Sequence, residues 1–84
     1  MTNLLIEKFV ESDKRKDKLV QIHFKTREVF SGMFIFMPDY EELKRKNYWR
    51  IVASARIAEW NATGNLSCSR LFNGEAFTRL TDAG

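Results

Sequence analysis

The chain has one cysteine, one proline, one histidine and four glycines in 84 residues, and each scarcity excludes a class of protein. A lone Cys68 cannot close an intramolecular disulfide or supply a multi-thiolate zinc site, so a reducing, cytoplasmic compartment is the one implied. Few glycines and a single proline exclude collagen-like and low-complexity chains. The longest unbroken apolar run, Met33 to Met37, is far short of the about 20 residues that cross a bilayer. Met1 to Val10 lacks a basic leader region, and Glu7 and Lys8 interrupt its apolar residues, so no signal peptide and no membrane association are expected. Fourteen basic residues against 11 acidic ones leave a net charge of +3, which permits an anionic partner without being polybasic. Hydrophobic residues make up 44% and charged residues 30%, enough apolar material for one small core and too short a chain for two.

From Asn3 to about Arg15, Leu5, Ile6, Phe9 and Val10 recur at helical spacing, with Thr2 or Asn3 available as the cap. Lys14 to Lys18 carries no apolar residue and reads as the helix end plus a solvated connection. At Leu19 the period changes, because Val20, Ile22 and Phe24 alternate with Gln21, His23 and Lys25 as in a half-buried strand. A second strand from Val29 to Met37 follows a short polar turn, with Gly32 marking a sharp bend and Pro38 its end. Asp39 with Glu42 three residues on predicts a capping box for a brief surface helix. Tyr48 to Ala53 returns to strand, with Trp49, Ile51 and Ala53 on one face and Tyr48, Arg50 and Val52 on the other. Arg56 to Asn61 reads as a weaker strand and Ala62 to Asn65 as a loop. Asn73-Gly74 is a strong hairpin signal between Arg70 to Phe72 and Ala76 to Leu80, and Thr81 to Gly84 reads as a frayed tail.

The expected fold is therefore mainly β: a helix at about 3–15 followed by strands at about 19–80 that form a small, strongly bent, five-stranded antiparallel barrel. The segments Val20 to Phe24, Val29 to Ile35 with its Gly32, and Asp39 resemble the first Sm motif. Arg70 to Leu80, with its turn at Gly74, resembles the second. The chain thus resembles the Sm-like (SH3-like) fold, which implies a non-enzymatic RNA-binding barrel and, by analogy, a ring of subunits. It departs from the RNA-binding pattern in two places, since a helical insertion separates Asp39 from Asn47 and Asn73 stands where an arginine would precede Gly74. Phe24 to Arg27, Pro38 to Tyr40, Trp49 to Val52 and Phe72 to Gly74 are also similar to a series found in small bacterial proteins of unknown function, which implies no activity.

The densest functional signal is Lys44 to Arg50, where four cations and two aromatic rings share seven residues. Such a mixture neutralises phosphates and offers bases a stacking platform. Lys44, Arg45, Lys46, Tyr48 and Arg50 are the candidate nucleic-acid-binding residues. The competing reading puts Trp49 in the core and pairs Arg45 and Lys46 with Glu41 and Glu42. His23, the single histidine, alternates with Gln21 and Lys25 and so faces solvent or a subunit contact. Glu41 and Glu42 splay apart on a helix, and Cys68 reads as a buried, inert thiol. No catalytic residue, metal site or cofactor is expected. Phe34 to Phe36 leaves apolar side chains on both strand faces, to be covered by Leu5, Phe9 and Val10 or by another subunit. RNA or another single-stranded nucleic acid is the expected partner. A protein-interaction or self-assembly module is the alternative, and a small-molecule pocket in the barrel mouth stays open.

Overall fold

The computed structural model describes residues 1–11 and 18–82. An N-terminal helix, α1 (Asn3–Glu11), leads to strands β1 (Leu19–Phe24) and β2 (Phe30–Phe34). Helix α2 (Tyr40–Arg45), strand β3 (Tyr48–Ala53), helix α3 (Ile57–Thr63) and strands β4 (Ser69–Asn73) and β5 (Phe77–Asp82) follow. Single 3₁₀ turns at Ser54–Arg56, Leu66–Cys68 and Gly74–Ala76 join the later elements. Lys14 to Asp17 and the last residues of the expected first helix lie outside the described residues.

The five strands form one antiparallel sheet in the order β4-β3-β2-β1-β5. Helix makes up 41% and strand 37% of the described residues, so the protein is mixed α/β rather than mainly β, and the sheet does not close into a barrel. The reason lies at Asn73-Gly74. Gly74 does not have a positive φ, and Asn73 is extended, its side-chain oxygen accepting the Glu75 N–H at 2.9 Å. The chain therefore makes a 3₁₀ turn instead of a hairpin, and β5 pairs with β1, not β4. Thr81 and Asp82, expected to fray, pair with Gln21 and Val20. Four interstrand gaps in a flat sheet would set β4 and β5 roughly 19 Å apart, yet Gly74–Ala76 bridges them. The sheet must curl sharply, and the Phe24 and Phe72 rings of β1 and β4 lie 5.9 Å apart. Gly32 permits part of that curl, because a Cβ there would stand 2.6 Å from Ile51 Cγ2 and 2.8 Å from the Val52 carbonyl oxygen.

Each face of the sheet packs against a helix. On the concave face Val20, Ile22, Phe34, Trp49, Ile51, Phe72, Phe77 and Leu80 pack with Ile6 and Val10 of α1. Those two helix residues contribute together about 3–6 kcal/mol of apolar burial. Leu5, expected in this contact, faces outward, because the i, i+4 pair that reaches the sheet is Ile6 with Val10. On the convex face Met33, Ile35, Val52 and Cys68 lie beneath Ile57 and Trp60. These come from α3, the segment read as a weak strand. Ile57 and Trp60 are one helical turn apart, Ala58 and Ala62 favour helix, and the Gly64 N–H closes the end on the Trp60 carbonyl at 2.8 Å. The cover for the second face is thus a helix of the same chain.

Candidate nucleic-acid interface

Helix α2 has Glu41 and Glu42 in its first turn and Lys44 and Arg45 in its last, which suits the helix dipole. Asp39 makes no capping bond. Its carboxylate instead accepts Arg50 Nη2 at 2.7 Å and Nε at 3.4 Å, tying the start of α2 to β3. That guanidinium holds the Asp39 carboxyl below its ordinary value, while the carboxylate raises Arg50. At the other end Asn47 adopts φ 63° and turns the chain into β3. Its amide nitrogen donates to the Met1 carbonyl at 3.1 Å, its amide oxygen accepts the Trp49 indole N–H at 2.8 Å, and its backbone carbonyl accepts the Gly74 N–H at 2.8 Å. Asn3 donates to the carbonyls of Lys44 and Arg45, closing the C-terminus of α2, and Thr2 caps α1 through the Leu5 N–H.

The candidate cations fall into different environments. Lys44 Nζ reaches Glu7 at 3.2 Å, Glu11 at 3.3 Å and Glu41 at 3.0 Å, with its side chain only 13% exposed. Burial pulls the Lys44 ammonium down, but the hydrogen bonds of the three carboxylates outweigh it and the net shift is upward. Tyr40 donates its hydroxyl to the same Glu11 at 2.6 Å, and burial together with that carboxylate pushes the phenol up. Lys44 therefore staples α2 to α1. Lys46 stands 3.7 Å from Glu42, an exposed pair. Arg45 is exposed and makes no ion pair among the described residues. Trp49 is buried, as its core reading required.

Tyr48 and Arg50 project from the convex face opposite Asn73 and Leu71 of β4. Tyr48 is 37% and Leu71 50% exposed, so this end of the face is open where α3 does not reach. Asp39 occupies Arg50 Nε and one Nη2 position and leaves the remaining N–H groups of the guanidinium available.

The sequence reading passed over a second feature. Around the edge of β4, Phe24, Arg27, Arg70, Leu71, Phe72, Asn73 and Ala76 line a cleft of about 210 Å³. The Arg27 guanidinium lies 4.9 Å from the Phe24 ring centre and that of Arg70 5.6 Å from the Phe72 ring. A signal was present in the chain, because Arg70 and Phe72 are two apart on one strand and so share a face.

The other candidate groups are engaged elsewhere. His23 Nε2 lies 3.3 Å from Thr81 Oγ1 across β1 and β5. The Cys68 thiol donates to Glu59 at 3.1 Å, and that carboxylate also takes Arg56 at 3.0 Å. The hydrogen bond to Glu59, then burial, pushes the thiol up, away from the thiolate that a nucleophile needs. Among the described residues no group of three or more His, Cys, Asp or Glu is placed to hold a metal, and no helix is long and apolar enough to cross a membrane. No family model, curated protein or solved structure matches the chain.

Proposed function

We propose that the chain is a non-enzymatic binding module for single-stranded nucleic acid, RNA in particular, that receives the strand on the open end of the convex face. The observation that carries this reading is the placement of exposed Tyr48 beside Arg50, Leu71 and Asn73 across β3 and β4, a ring and a guanidinium on an uncovered sheet surface. Bases stack on such a ring while the guanidinium meets phosphate. Arg45 and Lys46 add charge at the approach, and Lys44 contributes by holding α2 in place. The N-terminal helix and five curled antiparallel strands support kinship with the Sm-like fold. The lone thiol of Cys68 supports a reducing, cytoplasmic setting.

Fluorescence anisotropy with a labelled single-stranded RNA at 50 and 200 mM salt tests the reading. If three cations neutralise phosphates, affinity falls about 20-fold over that range, since the slope is about −0.7 per contact. Tyr48→Ala removes a stacking platform that is worth about 1–3 kcal/mol. A folded protein that binds no RNA at 50 mM salt, or binds it independently of salt, overturns the proposal.

A second reading, self-association, is favoured by one observation: β4 and β5 are both edge strands, each paired with a neighbouring strand on one side only. Strand-edge pairing between copies joins unlike edges and builds a ring or filament. Light scattering after gel filtration gives the oligomeric state, and a monomer at high micromolar concentration excludes it.

A further inference from the structure

The geometry points to the cleft at the β4 edge as a binding site for a phosphate that carries a single flat ring, the chemistry of a pyrimidine nucleotide. Its polar side-chain lining is Arg27, Arg70 and Asn73, with no carboxylate among the lining residues. Arg27 and Arg70 make no ion pair among the described residues, although nearly every cation of the α2–β3 segment has a carboxylate. Asn73 accepts the Glu75 N–H on its side-chain oxygen, and its amide NH₂ is a further donor on a lining residue. The carbonyl of Ala76, one of the lining residues, takes the Lys25 N–H at 3.2 Å. Glu28 and Glu75, the acidic residues closest in sequence, do not line the cleft. Two like charges in one concavity with low-dielectric walls repel each other and focus a positive field, and an anion between them relieves both.

The aromatic floor adds the second half of the specificity. Phe24 and Phe72 lie side by side, and each supports one guanidinium over its face. A guanidinium held this way keeps its opposite face for stacking on a flat ring and its N–H edge for phosphate, which an ammonium cannot do. The packing of Phe24 on Phe77 and of Phe72 on Phe30, with centroids 5.3 and 5.0 Å apart, fixes both supports to the core. At about 210 Å³ the cleft is smaller than the roughly 300–1,000 Å³ of sites for larger ligands, and so fits one ring rather than two. The nucleotide comes either from an RNA strand, in which case this site deepens the reading above, or from the free pool.

The test is a ¹H–¹⁵N NMR titration of the full chain with cytidine 5′-monophosphate, inorganic phosphate, cytidine and adenosine 5′-monophosphate, run beside the RNA anisotropy assay. Cytidine monophosphate is expected to shift the amides of Arg27, Arg70 and Asn73 and to bind more tightly than the other three. Arg27→Gln/Arg70→Gln, at two exposed positions, is expected to weaken it about tenfold or more while the spectrum stays dispersed. Arg27→Lys/Arg70→Lys, which keeps the charge and loses the planar fork, is expected to fall between. Nucleotide bound at these residues by a protein that ignores RNA supports the cleft and overturns the strand reading. RNA bound equally by wild type and the Gln variant, with no response of the three amides to nucleotide, overturns the cleft. Equal shifts from cytidine in the Gln variant also overturn it.

Discussion

Gly74→Ala is expected to be among the most damaging single-methyl additions in this protein. Gly74 is buried, and a Cβ there would overlap the end of Ile6 and the side-chain amide of Asn47, whose Cγ would lie 2.9 Å away. Overfilling a packed site costs about 1–3 kcal/mol. Asn47 can retreat only by giving up its bonds to the Met1 carbonyl and to the Trp49 indole, and a buried donor without a partner costs about another 1–3 kcal/mol. The sum, about 2–6 kcal/mol, compares with a total stability of roughly 4–13 kcal/mol for a domain of this length. At about 4–8 °C per kcal/mol the melting temperature falls by at least about 8 °C. Urea melts followed by tryptophan fluorescence, with calorimetry for the midpoint, measure it. Gly74→Asn separates the physical causes. Were Gly74 kept for a left-handed turn, asparagine would be the milder replacement; with volume as the constraint, it is at least as harmful as alanine. A Gly74→Ala variant within about 0.5 kcal/mol of wild type, or an asparagine variant milder than alanine, refutes the argument.

Lys44→Ala leaves Glu7, Glu11 and Glu41 facing one another and is expected to cost about 1–2 kcal/mol at pH 7. The deficit should shrink in 1 M salt, which screens the repulsion among the three carboxylates, and a deficit that persists there speaks against charge as its origin. Because the folded-state pKa of Asp39 is depressed, its bond to Arg50 stabilises the protein above the ordinary value of 3.8 and is lost as pH falls through the lower folded value. Arg50→Gln should return the Asp39 carboxyl midpoint upward in a ¹³C NMR titration, and an unmoved midpoint contradicts the assignment. Cys68 should resist thiol reagents until the protein unfolds, and Trp60→Ala, which thins the cover over it, should speed labelling in the native state; rapid native labelling of wild type counts against the buried thiol.

The elements that rest on one strong local signal were readable from the chain. Alternation at Val20 to Phe24 marks β1, helical spacing at Ile6 and Val10 marks α1, and the Trp49 and Ile51 face of β3 points into the core. What was not readable depends on distant partners. Asp39 looks like a cap until Arg50, 11 positions on, takes its carboxylate. Asn73-Gly74 looks like a hairpin turn until Ile6 and Asn47 press on the glycine. Ile57 and Trp60 form a helix because the apolar row Met33, Ile35 and Val52 needs a cover, a demand that no local propensity carries. At the candidate interface the composition of Lys44 to Arg50 was visible, but the three carboxylates around Lys44 come from two helices, and the cleft combines β1 and β4 residues.

The strand order also governs how the chain reaches its native state. β1 lies between β2 and β5, and while β2 follows it at once, the His23–Thr81 contact with β5 joins positions 58 apart. During synthesis the first four strands can assemble as a meander, joined by one short loop and by the segments that carry α2 and α3, but one side of β1 stays unpaired until residues 77–82 arrive. Closing so long a segment is entropically costly and slow compared with neighbouring contacts. Docking of β5 is therefore the late step, and a nascent chain halted before Phe77 presents Val20 and Ile22 on an open edge to whatever strand it meets.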